Sequence, residues 1–230
     1  LYLLLYSCTP QIYISHVVGS VQRCIRASLT VNAFVFAGSV AIAGGTVGVG
    51  VAGAGASSRN RIATDVRAFI DGDGAFGIKA QSISVNAEDR SQIFADTAAA
   101  SVALSFGAVG ASVSVGVSIA ENEIYNTVEA GIHHANDLST TVGGISVTAE
   151  ETATIDSLTA AASAAAAFSI GVAAAAAVTT ASNTLTSDVN AWIEDSEDVS
   201  SAGGLLVSAD DTSTVSAEIV SVALSAGLIS

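Results

Sequence analysis

Polar and apolar positions alternate along most of this chain, and the alternation comes in recurring phrases. In "NRIATDVRAFI", which starts at Asn60, Ile62, Val66, Ala68 and Ile70 share one parity, while Arg61, Asp65 and Arg67 take the other. Period two of this kind predicts a strand with one buried face. The phrase returns as "NEIYNTVEAGI" from Asn122 and "NTLTSDVNAWI" from Asn183. A second phrase, "ISVNAEDRS" from Ile83, returns as "ISVTAEETA" from Ile145 and "LLVSADDTS" from Leu205. A third, "SVAIAGG" from Ser39, returns at Ser101 and Ser221. The chain therefore repeats itself about every 60 residues.

Each unit has a fixed order. A short strand such as Ile83 to Ala87 runs into two adjacent acids, and a long segment of small residues follows. Parity changes there: Val102, Leu104 and Phe106 are even-numbered, whereas Val113, Val115, Val117 and Ile119 are odd. The change falls at Gly107 to Gly110, which predicts a bend. The Asn-led strand comes next, and a polar loop closes the unit: "DGDGAFGIKAQ", "HHANDLSTTVG" or "EDSEDVSSAG".

The alanine-rich run from Ala160 to Val178 has the propensity of a helix. Its counterpart in the first unit, "AIAGGTVGVGVAGAGA", has too many glycines for one, at roughly 1 kcal/mol each. Equivalent repeats share a fold, so strand is expected in both, with an α/β repeat containing helical Ala-rich segments as the alternative. These runs lack Leu/Ile density and flanking Lys or Arg, so no transmembrane span is predicted. The expected fold is all-β, a repetitive parallel β-solenoid, or β-helix, built from ~60-residue repeats. A coil of ordinary length makes each unit two or three coils. Inward Val and Ile form ladders, and Asn60, Asn122 and Asn183 repeat at one corner. The repeat domain is placed at 29–230, in units of about 29–81, 82–143, 144–203 and a partial 204–230. Residues 1–28 stand apart as an atypical flank, whose apolar opening lacks a basic n-region.

Composition narrows the function classes. Half the 230 residues are hydrophobic, but the apolar content is mainly Ala, Val and Gly, which suits thin, closely stacked layers. Seven bases face 21 acids, for a net charge of −14, and no base follows Arg90. Such a surface repels phosphate backbones, so nucleic acid is excluded as a partner, and cations are attracted. Cys8 and Cys24 both precede the repeats and form no metal motif.

Candidate chemistry is sparse. The acidic pairs Glu88–Asp89, Glu150–Glu151 and Asp210–Asp211 are expected at solvated corners that discourage edge pairing. Neighbours on a strand point to opposite faces, so they make no catalytic dyad. The weak metal candidates are Asp71 and Asp73 of "DGDG", with Glu194, Asp195, Glu197 and Asp198 of "EDSED". "DGDG" lacks the later ligands of a calcium loop. No cofactor is expected beyond weak calcium. His133 and His134 read as loop residues, and Trp192 as an exposed contact residue. Nucleophile elbows, phosphate loops and dinucleotide fingerprints are absent from the sequence, so no enzyme is expected.

The order "GASVSVGVSIAENEIYNTVEAGI … GGISVTAEE" resembles repeats of large secreted bacterial surface proteins of the haemagglutinin-like or leukotoxin-like autotransporter or adhesin type. Gly110, Val113, Val115, Asn122, Ile124, Asn126, Val128, Ala130 and Ile132 carry the likeness, which spans roughly residues 31 to 230; the base-rich first copy departs mildly from it. The resemblance implies a right-handed parallel β-helix, export, and a stalk or adhesive role. The expected function is thus a non-catalytic structural or adhesive module of a long extracellular or cell-surface protein. A self-assembling filament subunit is the alternative, and a carbohydrate-binding or carbohydrate-processing β-helix ranks last. Partners would be neighbouring repeats or other copies of the chain, with a cell-surface or carbohydrate ligand as a further expectation.

Overall fold

A computed structural model describes residues 20–72 and 77–228, with only the backbone of Ser169. The described chain is all-β. Its elements are β1 (Val21–Asp71), β2 (Ile78–Ala80), β3 (Ile83–His133), β4 (Leu138–Thr140), β5 (Ile145–Glu151), β6 (Thr154–Glu194), β7 (Val199–Ser200), β8 (Leu205–Asp211) and β9 (Thr214–Leu228). The alanine-rich run lies inside β6, so the helical alternative fails. β1 starts at Val21, and Val21–Ser28 pair with Ile83–Arg90.

All pairing is parallel. β3 is the central ribbon, with β1 on one side and β5 and β6 on the other; β8 and β9 continue the stack. The short strands β2, β4 and β7 make a separate three-stranded parallel sheet at the base, formed from the loops that close each unit. Equivalent phrases are direct hydrogen-bonded neighbours: Asn60 pairs with Asn122 and Asn122 with Asn183, while Ile83 pairs with both Val21 and Ile145. No coil intervenes between them, which corrects the expectation of two or three coils per unit. The coil is long because each ribbon is folded in half.

The fold-back is visible in contacts within and between ribbons. Ser101 and Ser114 share a 2.7 Å hydroxyl hydrogen bond, and Ser118 Oγ donates to the Thr97 carbonyl at 3.0 Å. The bend lies at Gly107, where φ is +156° and a Cβ would strike the Gly45 carbonyl of the neighbouring coil. The two arms form a flattened blade, with the β2–β4–β7 sheet closing its base.

Side-chain size falls from base to tip. The base encloses Ile83, Val85, Val128, Ile132, Leu138 and Ile145, all at most 1% exposed. A second apolar layer holds Ile62, Ile93, Ile124 and Ile155. Beyond it, past the buried Thr97 and Thr159, the interior of the central ribbon carries small residues: Ser101, Ala103 and Ser105 on one arm, with Gly110, Ser112, Ser114, Gly116 and Ser118 on the other. Glycine is required where the arms meet. A Cβ on Gly116 would sit 2.8 Å from the Ala162 carbonyl oxygen, and one on Gly50 would sit 2.7 Å from that of Leu104. The larger residues of this half, Val113, Val115 and Ile119 among them, point outward. The expectation of inward Val ladders therefore holds for the base and fails for the tip. Two sheets this close have room only for small side chains.

The Asn ladder is present. Asn60 Nδ2 donates to Asn122 Oδ1, and Asn122 Nδ2 to Asn183 Oδ1, both at 2.8 Å; Asn183 Nδ2 ends the series on Ser157 Oγ. The ladder lies inside the returning arm instead of at a corner. Each amide satisfies the next, so a polar column is buried without loss.

Val128 and Thr127 test the inward assignment. Val128 is fully buried, beside Val66 in the ladder, whereas Thr127 faces out. Val128→Asp buries an unpaired charge and is expected to cost about 4 kcal/mol or more. Thr127→Asp is expected to stay within about 1 kcal/mol. Denaturant unfolding of both variants gives the comparison, and equal losses would refute the face assignment.

Candidate functional site

The acidic pairs do not sit at solvated corners. They lie on the outgoing arms in one register: Arg26, Glu88, Glu150 and Asp210 form one column, and Ala27, Asp89, Glu151 and Asp211 the next. Adjacent acids point to opposite faces, as strand geometry requires. Glu88 faces outward and is clamped by Arg26 Nε at 2.7 Å and Arg90 Nε at 2.5 Å. Asp89 and Glu151 point inward, 0% and 1% exposed. They stand on neighbouring coils, in direct backbone pairing, with no coil between them.

These two carboxyls occupy a polar layer between the two apolar layers. Its opposite wall is the register column Thr64, Asn126 and Ser187. Asn126 Nδ2 donates to Asp89 Oδ2 and to Glu151 Oε1, each at 2.7 Å, and so bridges the pair. Its own carbonyl is engaged by the Thr64 amide at 3.3 Å. Ser91 Oγ also donates to Asp89 Oδ2, at 2.6 Å. One oxygen of each carboxyl, Asp89 Oδ1 and Glu151 Oε2, has no hydrogen-bond partner.

Burial pushes both carboxyls up. Desolvation is the main cause at Glu151, and the bond from Asn126 opposes it. Repulsion from Asp89 and Asp211 adds to the rise, and Ser187 counters; the net carries Glu151 to about 7. Asp89 is raised by desolvation, against the pull of Ser91, Thr64 and the Arg90 amide. The Thr64 and Ser187 hydroxyls stand close enough to lower these values, although neither makes a well-formed hydrogen bond. The arrangement is suited to holding a proton: two buried carboxyls on neighbouring coils share one neutral amide, that of Asn126. It is not suited to catalysis, because a sealed pair cannot reach a substrate.

The sequence-derived metal candidates fall elsewhere, at the blade's base. Asp71, Glu194 and Asp195 come together around the histidines. His134 Nδ1 lies 3.0 Å from Asp71 Oδ1, and its Nε2 lies 3.9 Å from Asp195 Oδ2. The Asp71 hydrogen bond chiefly raises the His134 pKa. His133 Nδ1 lies 2.8 Å from Glu194, and its Nε2 accepts from Trp192 Nε1 at 2.8 Å. The proton on His133 is therefore at Nδ1. Trp192 lies across Gly131 and 5.5 Å from Phe69, a half-buried brace instead of a free contact residue. Glu197 and Asp198 remain exposed and outside this cluster, and Asp73 lies outside the described residues. Among the described residues, no group of three or more His, Cys, Asp or Glu is arranged to hold a metal ion. Cys24 is a free, exposed thiol in β1.

Comparison with known proteins finds no matching family model, no similar curated protein and no similar solved structure.

Protonated Glu151 suits the fold better than ionised Glu151, and the sign of the pH dependence follows. Its folded pKa lies above its unfolded value of 4.5, so its favourable contribution is complete below about pH 4.5 and is lost as pH rises through 7. Glu151→Gln keeps the Asn126 bond and removes the charge. Melting temperatures from pH 4.5 to 8 are expected to fall less steeply in the variant. At pH 8 the variant is expected to melt on the order of 5 °C higher than the parent. Parallel pH profiles would show that Glu151 is not the titrating group.

Proposed function

We propose that this chain is a non-catalytic structural module of a long extracellular or cell-surface protein, in which each ~60-residue repeat supplies one coil of a β-solenoid. The carrying observation is that recurring residues serve the stack itself. The Asn60–Asn122–Asn183 amides bond to one another, and Asn126 seals the buried carboxyls. A repeat of this kind extends by adding coils, since each coil offers the next the same edge and the same ladders. The acids on the charged half of each coil keep that part of such a rod in water through self-repulsion. The resemblance of the Asn-led phrase to secreted bacterial surface repeats supports the extracellular setting, and an adhesive role is part of the same reading.

Immunogold labelling of intact source cells with antibodies against this chain tests the reading. Label on the outer surface or on extended fibres is expected. Label that appears only after cells are opened would overturn the assignment.

A further inference from the structure

The distal half of the blade has its polarity reversed. In the central ribbon β3, which is stacked on both sides, outward residues are exposed only through the blade's faces. Phe106 is 43% exposed, Val113 41%, Val115 38% and Ile119 44%. The inward residues between them are Ser, Ala and Gly; Ser101 and Ser114 share a hydroxyl hydrogen bond, while Ser118 and Ser163 donate to the backbone carbonyls of Thr97 and Ser114. Both outer faces share this character. Val40, Ile42 and Leu104 line one, and Val51, Val113 and Val172 line the other. The tip is apolar too, with Phe106 and Phe168 stacked at 4.9 Å.

Charge stops at one level on both faces. No Asp, Glu, Lys or Arg occurs between Thr97 and Ala120, or in the matching spans 33–58, 157–181 and 219–228. On one face the boundary is Asp96, with Glu218 in its column. On the other it is the ion-paired row of Arg59, Glu121 and Glu123. Ser118 bonds to the Thr97 carbonyl across the blade, so these boundaries face each other at nearly equal height. The uncharged depth is 9 residues on one arm, Ala98 to Phe106, and 11 on the other, Val109 to Ile119. At ~3.3 Å per residue this is about 25–35 Å, close to the ~30 Å hydrocarbon core of a bilayer.

We propose that this uncharged blade, apolar on both outer faces and at its tip, inserts into the hydrocarbon of a lipid bilayer. A second copy docked on one face would leave the other face and the tip in water. Packing two Asp96 faces together at equal height would also bring Asp96 and Glu218 of one copy against those of the other. Hydrocarbon covers all three surfaces at once. The parallel ladder satisfies the backbone of inner coils, as a lipid environment demands. The open edges are β1 at one end and, at the other, β9 together with the returning arm of β6 that β9 does not cover, and they need the same service from further coils. The net charge of −14, all of it outside the uncharged blade, disfavours anionic headgroups.

No helix among the described residues is long and apolar enough to cross a membrane, so insertion here is a matter of strands. Flotation of the purified chain with phosphatidylcholine vesicles is the test. The wild-type chain is expected to float, and Val113→Asp/Val115→Asp to float at least tenfold less, with unchanged circular dichroism. Phosphatidylglycerol in the vesicles is expected to weaken flotation at low salt. Should the double variant fail to fold, Phe106→Trp decides: the added indole is expected to be quenched by lipids brominated deep in the acyl chain, while Trp192 is not. A wild-type chain that ignores phosphatidylcholine overturns the proposal, as does undiminished flotation of a folded double variant or absence of deep quenching. If the chain ignores vesicles and sediments as oligomers that the double variant breaks, the face belongs to a second copy.

Discussion

In-register parallel pairing is the constraint on which everything else in this molecule rests. Each residue's backbone is bonded to its counterpart one coil away, ~4.8 Å along the stack. A side chain chosen once is therefore repeated as a column, and its chemistry must tolerate its own image. Amides do so, because each both donates and accepts, and the column of Asn60, Asn122 and Asn183 is buried at no loss. Carboxylates do not. The Asp89 column begins with Ala27, and where two acids meet inside, Asn126 stands between them and their affinity for protons rises. Outward columns solve the same problem with opposite charge, as Arg26 does for Glu88 and Arg59 for Glu121.

The second organising feature is the gradient of side-chain size along the blade. Ile and Leu hold the sheets apart at the base, where the third sheet β2–β4–β7 closes the coil. Toward the tip, Ser, Ala and Gly let the arms meet until Gly116 lies against the Ala162 backbone. A conventional solenoid drives folding by hiding Val and Phe inside. This one leaves them on the outside of its thin half, so its cohesion there comes from the backbone ladder, close packing and hydroxyl pairs. The stability of that half therefore depends on what surrounds it, since apolar area left in water contributes nothing.

Much of the site is legible in the parity of its residues. Ile83, Val85 and Ala87 share a parity with Asp89, and Ile145, Val147 and Ala149 share one with Glu151. A strand that continues without a turn must send those acids inward, and it does. Paired acids at the end of an apolar run resemble a solubilising corner, but their parity turns one acid of each pair inward. Asn126 gave a matching signal: it shares the inward parity of Ile124 and Val128. Only its partners on the opposite arm were beyond reach, because they are set by where the ribbon folds. The loop candidates show the converse. Asp71, Glu194 and Asp195 are far apart in sequence and meet at the base because loops stack as strands do, yet their nearest partners are histidines that brace the corner.

The sequence alone determined the strands, the bend, the repeat and the amide column, because these depend on local periodicity and on like residues recurring at like places. It also determined that the bases end at Arg90 and that small residues dominate. Only the tertiary structure decided how far the ribbon runs before turning back, and hence that equivalent phrases touch directly. It alone decided which side of the alternation is interior. Counting back by twos from Asn122 leads to Ala120, Ser118, Gly116 and Ser114, yet nothing in that count says that the Ser side is enclosed and the Val side is not. The reason is geometric: alternation divides residues between two faces, and the facing sheet determines which face is enclosed.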